Sequence, residues 1–399
     1  MAFVVQEYEN LPAHDVEDIE RLAKHVVTAR QDGHRLIVVT PAPSPSTRSR
    51  RAADTLLDDA LAALGGEVYT APPALLAALP AAGGAAPGLP EAARPVREAL
   101  KRGAIVRTAV PRPDVADPRP GAPPASARSG TTAIGLAAAF EADVCEVYTA
   151  AGGIHTADPH IVPHAREVSE LGYESARELA ACGAGVLAPG DLDTARRFGL
   201  TVRLRPLHTA AAYTDPDFAA GTLIRPGIGQ PAGERTAFTG IAHDLPGVEV
   251  VLTGVSDRPG AVAPLLRELA EAGVGLLMAT RARTASAQER PSDMTLVLTG
   301  PAALAAVPLL AERCAGTGVR VVSSRGRAGR VSLVGSGLRS GANVPIFSAA
   351  LARAGVRLDL VCAAETRISA LCPAASVPRA VRALHTEFGL DSGPRPEGP

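Results

Sequence analysis

Apolar and polar positions in the first half of the chain switch between two periods. The apolar run Phe3–Gln6 predicts a short strand, whereas Asp15–Arg30 places its apolar residues at helical spacing with acids in the first turn. Gly33 ends that helix, and the continuous apolar run Arg35–Thr40 is typical of a buried parallel strand. This strand–helix–strand opening predicts a doubly wound α/β sheet.

Similar patterns predict later elements and two long loops. The helices are Thr132–Phe140, Ser175–Cys182 and Asp191–Phe198, and the strands are Asp143–Thr149 and Thr201–Arg205. The Pro/Ser/Arg-rich stretches Thr40–Arg51 and Val110–Gly130 predict neither helix nor central strand. Both follow strand ends, where the ligand crevice of such sheets lies.

The last third of the chain contains an internal repeat. A strand (Val250–Val255), a helix (Ala261–Glu271) and a strand (Gly273–Met278) are repeated as Val331–Val334, Val344–Arg353 and Ala354–Leu360. The repeat predicts two small βαββαβ modules. With 399 residues, several domains are expected, and we place them at 1–225 (α/β domain), 226–245 (linker), 246–325 and 326–392 (the modules), and 393–399 (disordered tail).

Composition excludes several classes of function. A net charge of −1, 3% aromatic residues and no Trp argue against nucleic-acid binding. No apolar run approaches the ~20 residues of a membrane span, so we expect a soluble, cytoplasmic protein. The five scattered cysteines indicate reduced, mostly buried thiols. Four residues, His155, Asp158, His160 and His164, have metal-ligand chemistry, but they share a Pro-containing segment and we predict no metal site.

Long stretches of the chain resemble the aspartokinase family. They are ADVCEVYT (Ala142–Thr149), TADPHIVPHARE (Thr156–Glu167), ELAACGAGVL (Glu178–Leu187), ARRFGL (Ala195–Leu200), FTGIAHD (Phe238–Asp244), VSLVGSGLRS (Val331–Ser340), ETRIS (Glu365–Ser369) and VRALHTEF (Val381–Phe388). The resemblance implies an amino-acid-kinase domain followed by two ACT domains. It also implies transfer of the ATP γ-phosphate to the β-carboxylate of aspartate, and feedback by lysine or threonine at ACT dimer interfaces.

The residues that carry phosphoryl transfer in that family depart from its pattern here. The family's first strand ends in Lys followed by Tyr-Gly-Gly-Ser-Ser, where this chain has Glu7, Tyr8, Glu9, Asn10, Leu11 and Pro12. A carboxylate in place of the ammonium group repels a triphosphate. Only Lys24 and Lys101 occur in the whole chain, and neither replaces the missing lysine in an obvious way.

Two further family motifs are altered as well. Gly-Arg-Gly-Gly-Ser-Asp-Thr-Thr corresponds to Ala125–Thr132, where Gly130 replaces the Asp, and we expect the surviving hydroxyls to cap a helix that starts near Thr132. Thr-Asp-Val-Asp-Gly-Val corresponds to Thr149–Ile154, which lacks both carboxylates. The family's aspartate-binding Thr-Ala-Gly-Glu-Arg has no counterpart. The remaining nucleotide-binding candidates are Ser129, Thr131, Thr132, Thr149, Gly153 and Asp158.

The ACT part keeps its turn Asp257–Gly260 but not all polar residues of its relatives. Effector-binding candidates are Asp257, Pro259, Gly260, Met278 and Glu365. The modules are too small to bury their apolar faces alone, so we expect a homodimer or hetero-oligomer.

Three functions remain open at this point. The first is a catalytically silent or altered homologue that acts as a regulatory, amino-acid-sensing or structural partner. The second is an active aspartate kinase with ATP and Mg²⁺ as cofactors, in which Arg128 or one of Arg48–Arg51 replaces the lysine. The third is a repurposed enzyme of a specialised biosynthetic pathway.

Overall fold

The computed structural model describes most of the chain as two compact units. It describes residues 2–9, 16–41, 48–79, 89–110, 125–185, 187–207, 221–227, 237–256, 258, 260–282, 292–299, 303–314, 318–322, 327–338 and 341–391, and at 41, 48–54, 73, 125–130, 246, 282, 304, 322 and 327 the backbone alone. The N-terminal unit comprises Met1–Ala116, Pro123–Thr156 and His164–Thr239. The C-terminal unit comprises Asp117–Ala122, Ala157–Pro163 and Gly240–Pro399.

The N-terminal unit is an α/β sheet with helices connecting its strands. Its strands are β1 (Phe3–Tyr8), β2 (Arg35–Pro41), β3 (Val68–Thr70), β4 (Ile105–Val110), β5 (Val144–Thr149), β6 (Glu170–Leu171), β7 (Thr201–Pro206) and β8 (Thr222–Ile224). Its helices are α1 (Val16–Gln31), α2 (Arg48–Ala63), α3 (Pro73–Ala77), α4 (Leu89–Arg102), α5 (Ala125–Phe140), α6 (Tyr173–Ala181) and α7 (Pro189–Arg197).

The strand order of this sheet is β3-β4-β2-β1-β5-β7-β8-β6. The six strands from β3 to β7 run parallel, and β8 is antiparallel to β7. The chain builds outward from β1 through β2 to one side, then returns to add β5 on the other side. The strand order therefore reverses at β1, and in sheets of this kind the ligand crevice is expected at the carboxyl ends of the strands there, here β1 and β5.

Helix α1 confirms the predicted amphipathic pattern. Its buried residues, Ile19, Leu22, Ala23, Val26 and Val27, form the apolar stripe that the sequence predicted, except that Val16 at the start of the helix is 55% exposed. They pack on the sheet residues Val4, Leu36 and Val38, with Leu57 and Leu61 of α2 completing the cluster. This cluster fixes α1 on one face of β1 and β2, which decides which side chains of the neighbouring strands remain accessible.

Two predicted loops are shorter than expected. Helix α2 begins at Arg48, within the stretch that was predicted to be non-helical, and α5 begins at Ala125 rather than near Thr132. In each case the last proline, Pro45 or Pro124, precedes the helix, and nothing after it prevents helical geometry. Ser129, Gly130, Thr131 and Thr132 therefore lie inside α5, and the predicted capping role is wrong.

The C-terminal unit contains the two predicted modules. The first consists of β9 (Ala237–Val255), α8 (Ala263–Glu271), β10 (Gly275–Ala282), β11 (Ser292–Thr299), α9 (Ala303–Cys314) and β12 (Arg320–Val322). The second consists of β13 (Arg327–Ser336), α10 (Asn343–Arg353), β14 (Leu360–Ala363), β15 (Arg367–Pro373), a 3₁₀ turn (Ala374–Ser376) and α11 (Val377–Glu387).

Strand β9 belongs to both modules. The described strands form one sheet in the order β10-β11-β9-β13-β15-β14, and β12 also pairs with β9. Residues Gly247–Val255 pair with β11, so the first half of β9 is left for the second module. There Asp244 forms a two-point ion pair with Arg330 of β13, at 2.9 and 2.6 Å. Residues 237–245, which we predicted as part of a linker, are thus strand.

None of the described helices has the length and apolar character that crossing a bilayer requires.

Candidate active-site crevice

Glu7 lies at the carboxyl end of β1, the position that the family pattern assigns to a phosphate-binding lysine. Its side chain is buried, since the residue is only 1% exposed, and β1 pairs there with Val39 of β2 and Val147 of β5. Glu9 follows in a bend, where its N–H donates to the Tyr148 carbonyl at 3.0 Å. Asn10 lies outside the described residues. A buried carboxylate therefore lies at the strand end where the family has a phosphate-binding lysine.

A second buried carboxylate, Asp191 of α7, lies in the same region. Asp191 is 4% exposed, and burial raises its pKa even though the Thr131 hydroxyl and the Ala188 N–H both donate to it. Burial first, and then the charges of Glu7, Glu146 and Asp191, raise the pKa of the Cys145 thiol well above its ordinary value. Several carboxylates therefore act on one buried thiol, and the local potential is negative.

Two other nucleotide-binding candidates of the N-terminal unit, Thr149 and Thr131, already have partners within the protein. The Thr149 hydroxyl donates to the Gly152 carbonyl at 3.4 Å, and Thr131 contacts Asp191. Gly153 is buried against Thr222, whose hydroxyl would collide with any added Cβ. Thr132 is half-buried in α5, and the Ser129 side chain lies outside the described part of the chain. Among the described candidates, the structure thus links Glu7 and Thr131 through Asp191 and Cys145.

Asp158 belongs to the C-terminal unit. Its carboxylate accepts from the His160 N–H at 2.8 Å, contacts His160 Nδ1 at 3.0 Å and lies 3.8 Å from His243 Nε2. Burial tends to raise the Asp158 pKa, but the hydrogen bonds from His160 and the charges of His243 and His160 outweigh it and lower the pKa. His155 has a different neighbour, the Gly153 carbonyl at 3.2 Å from Nδ1, and His164 is exposed.

The cations that could replace the missing lysine are only partly described. The side chains of Arg128 and Arg48–Arg51 lie outside the described residues. Arg107 of β4, which sequence reasoning did not single out, is buried and forms an ion pair with Asp58, with 2.7 Å between Nε and Oδ1. Because Asp58 neutralises it, Arg107 supplies no surplus positive charge to a triphosphate.

Sequence reasoning also missed a polar network on the α1 side of the sheet. Glu146 accepts from Gln6 Nε2 at 3.0 Å and from the Tyr148 hydroxyl at 3.1 Å, and its Oε1 lies 3.2 Å from Arg205 Nε. His25 Nε2 is 2.9 Å from the Tyr148 hydroxyl. The signal was present, because parallel strands covered on both faces are normally apolar throughout, whereas β1 contains Gln6, β5 contains Glu146 and β7 carries Arg203 and Arg205 two residues apart.

The effector-binding candidates fall in different parts of the C-terminal unit. Asp257 and Pro259 lie outside the described residues, and Gly260 is an exposed turn residue with a φ of 84°. Met278 lines a cavity of about 210 Å³ together with acidic residues, namely Glu249, Asp293 and Asp359. Glu365 lies in the turn between β14 and β15, where its carbonyl accepts from the Leu338 N–H at 3.0 Å.

The two units together define an amino-acid-kinase domain joined to ACT domains. A model of the amino acid kinase family matches residues 10–205, and a model of the ACT domain matches residues 331–388. The first module has the same strand order around β9 as the second has around β13, so the predicted fold class is confirmed.

Relatives identify the family within that class. The aspartokinase of Mycolicibacterium smegmatis is 33% identical, with 98% of this chain and 97% of the relative covered. An aspartokinase of Thermus thermophilus is 31% identical, with 98% and 100% covered. The chain belongs to the aspartokinase family, which confirms the resemblance seen in the sequence.

Solved structures show the same fold at lower identity. Escherichia coli aspartokinase III, in complex with aspartate and ADP, superposes with a TM-score of 0.66 at 19% identity and covers 98% of this chain and 100% of its own. Clostridium acetobutylicum aspartate kinase gives a TM-score of 0.65 at 14% identity, with 97% and 100% covered.

Proposed function

We propose that this chain is an aspartokinase-family protein without phosphoryl-transfer activity, acting as a regulatory, amino-acid-sensing or structural partner in aspartate-family amino acid metabolism. The observation that carries the proposal is the buried carboxylate of Glu7 at the carboxyl end of β1, with buried Asp191 in the same neighbourhood. The family places a lysine at this position, so the charge that would meet the nucleotide is reversed.

The residues at the carboxyl ends of β1 and β5 do not fit a nucleoside triphosphate. A carboxylate 4 Å from a phosphate oxygen contributes a repulsion of about 1 to 4 kcal/mol, depending on the local dielectric. Of the chain's two lysines, Lys24 lies on α1 and Lys101 in the last turn of α4, and both are exposed. Residues 149–154 contain no carboxylate that would replace the family's acids. Since these features act in the same direction, we derive no phosphoryl-transfer step.

The regulatory part of the proposal concerns the ACT modules. We propose that they assemble this chain into a homodimer or a hetero-oligomer with an aspartokinase-family partner and that they bind an amino acid. The cavity beside Met278 supports effector binding, because its carboxylates suit the ammonium group of an amino acid.

An active aspartate kinase, which converts ATP and L-aspartate to 4-phospho-L-aspartate, is the second candidate. It is favoured by identities above 30% that extend over 98% of the chain to proteins named aspartokinase. This candidate requires a positive charge from Arg128 or from one of Arg48–Arg51, since Arg107 is neutralised by Asp58.

A hydroxamate assay for aspartyl phosphate separates the two candidates. We expect the purified protein to give no signal above a no-enzyme blank, and calorimetric titration with Mg·ATP to show no micromolar binding. Turnover that disappears in Arg128→Ala, but persists in a control such as Arg94→Ala on exposed α4, would establish the kinase and refute our proposal.

A further inference from the structure

A polar cavity lies in the N-terminal unit on the α1 side of the sheet, away from the carboxyl-end crevice. Its volume is about 250 Å³, and it is bounded by β1, β2, β5 and β7 and by the second half of α1. This is below the roughly 300–1,000 Å³ of pockets that hold drug-sized ligands, so a smaller molecule would fill it. Its lining includes the acidic residues Asp32 and Glu146, the basic residues Arg203 and Arg205, and the imidazoles of His25 and His34.

Two arginines on β7 give the cavity its cationic side. Arg203 and Arg205 are two residues apart on one strand, so their side chains leave the same face of the sheet. Arg205 is 4% exposed and has Glu146 as its ion-pair partner. Glu146 is already engaged by Gln6 and Tyr148, and within the described residues neither arginine donates a hydrogen bond. A guanidinium has five donors, so donors remain for an anion in the cavity.

Asp32 gives the cavity an anionic side. It follows the end of α1, where the helix dipole disfavours a carboxylate, so helix stability does not account for it. No ion pair to Asp32 occurs in the part of the chain that the structure describes. His34 lies close by, and its Nδ1 accepts from the Ala2 N–H at 3.1 Å, which leaves Nε2 as the donor of a neutral ring.

We propose that this cavity binds a small α-amino acid, with the α-carboxylate on Arg203, the remaining N–H donors of the Glu146-paired Arg205 beside it, and the α-ammonium group on Asp32. A planar guanidinium matches a carboxylate through paired hydrogen bonds, and the separate anion selects for a cationic amine. A molecule that carries both charges satisfies both sides of the cavity, whereas a simple anion leaves Asp32 unpaired. The proposal is independent of catalysis and of the ACT modules, because every residue it uses lies in the N-terminal unit.

Calorimetric titration of the full-length protein tests the proposal with three sets of probes. They are the twenty amino acids individually, the 2-hydroxy acids that lack the ammonium group, and inorganic phosphate. At least one amino acid should bind the wild type, and Arg203→Gln should weaken that binding by about 10- to 100-fold, since hydrogen bonds to charged groups contribute ~1.5–3 kcal/mol. The exposed Arg197→Gln on α7 should leave binding unchanged.

Asp32→Asn distinguishes an amino acid from a plain anion. It should weaken binding of the amino acid by about threefold, as for an ion pair at an exposed carboxylate, and leave the matching 2-hydroxy acid unaffected. Thermal unfolding of each variant checks that the fold is retained. The proposal is overturned if no amino acid binds, if binding survives Arg203→Gln unchanged, as it would for a site in the ACT modules, or if phosphate alone shows the Arg203 dependence.

Discussion

At the scale of single residues, burial decides which reactive groups of the crevice are chemically available. Cys145 sits among the carboxylates of Glu7, Glu146 and Asp191, and both burial and their charges raise its pKa. The thiolate is the reactive form of cysteine, so such a thiol is inert at ordinary pH. Cys362 on β14 is exposed and provides an internal comparison.

We therefore predict that Cys145 resists alkylation in the native protein. With iodoacetamide at pH 8, Cys362 should be modified first, and Cys145 should be modified only after denaturation. Mass spectrometry of peptides from a timed reaction measures both sites in one sample. Equal labelling rates would show that the crevice is open to solvent at Cys145 or that its carboxylates do not suppress ionisation.

The reversed charge at Glu7 leads to a second prediction at this scale. Glu7→Lys should raise the affinity for Mg·ATP by at least about tenfold, because it replaces a repulsion of ~1 to 4 kcal/mol with an attraction. Glu91→Lys, on the exposed face of α4, makes the same charge change elsewhere and should have little effect. Titration calorimetry compares the two, and unfolding curves confirm that Glu7→Lys folds. Equal affinities would mean that Glu7 does not face the nucleotide.

At the scale of elements, strand β9 connects the two ACT modules in a way that the sequence did not predict. The predicted repeat located the helices α8 and α10 to within two residues, whereas β9 begins well before the predicted Val250 and β14 begins at Leu360, where the predicted strand ended. Residues 237–245 were interpreted as linker because they end a polar stretch that contains Gly and Pro. They are strand because they pair with β13, where Asp244 meets Arg330 across 86 residues of chain. The local sequence does not reveal so distant a partner.

In the candidate site, too, some positions could be predicted from local sequence and others depend on long-range pairing. Glu7 could be placed at a strand end from motif alignment alone, because position in a parallel sheet follows from chain order. The cavity lined by Arg203 and Asp32 could not be predicted from the sequence. It depends on the register of β7 against β5 and on the side of the sheet that α1 covers. Register is a long-range property, whereas hydrophobic period is local.

The ion pair between Asp244 and Arg330 tests the role of β9. Arg330 is 6% exposed and Asp244 contacts two of its nitrogens, so Asp244→Ala leaves a buried guanidinium without this partner. Breaking a buried pair costs roughly 3–5 kcal/mol, and we expect the lower part of that range because Asp244 is partly exposed. The exposed pair of Asp193 and Arg177 serves as control, since Asp193→Ala should cost less than about 1 kcal/mol.

Differential scanning calorimetry of the two variants measures this difference. The transition of the C-terminal unit should move to lower temperature in Asp244→Ala, and neither transition should move appreciably in Asp193→Ala. Similar shifts in the two variants would indicate that the first half of β9 contributes little to the second module.

At the scale of the whole molecule, the chain leaves one unit for seven residues and then returns to it. Ala157–Pro163 belong to the C-terminal unit, whereas the residues before and after belong to the N-terminal unit. Val162 is buried there, and the Ile161 carbonyl accepts from Arg382 of α11 at 3.2 Å. This segment follows shortly after Thr149 and Gly153, so the strand end at β5 is joined to the C-terminal unit by only a few residues.

Asp158 makes the packing of this segment sensitive to acid. Its pKa is lowered in the folded protein, so the carboxylate contributes stability above the unfolded value near 3.9, and this stability is lost as pH falls through the lower folded value. Between neutral pH and pH 3, the unfolding temperature of Asp158→Asn should therefore fall less than that of the wild type. His243→Gln removes one of the charges that lower the pKa and should give an intermediate dependence, whereas Asp59→Asn on exposed α2 should follow the wild type. If Asp158→Asn and the wild type lose stability in parallel, the contacts of this carboxylate do not hold the segment in place.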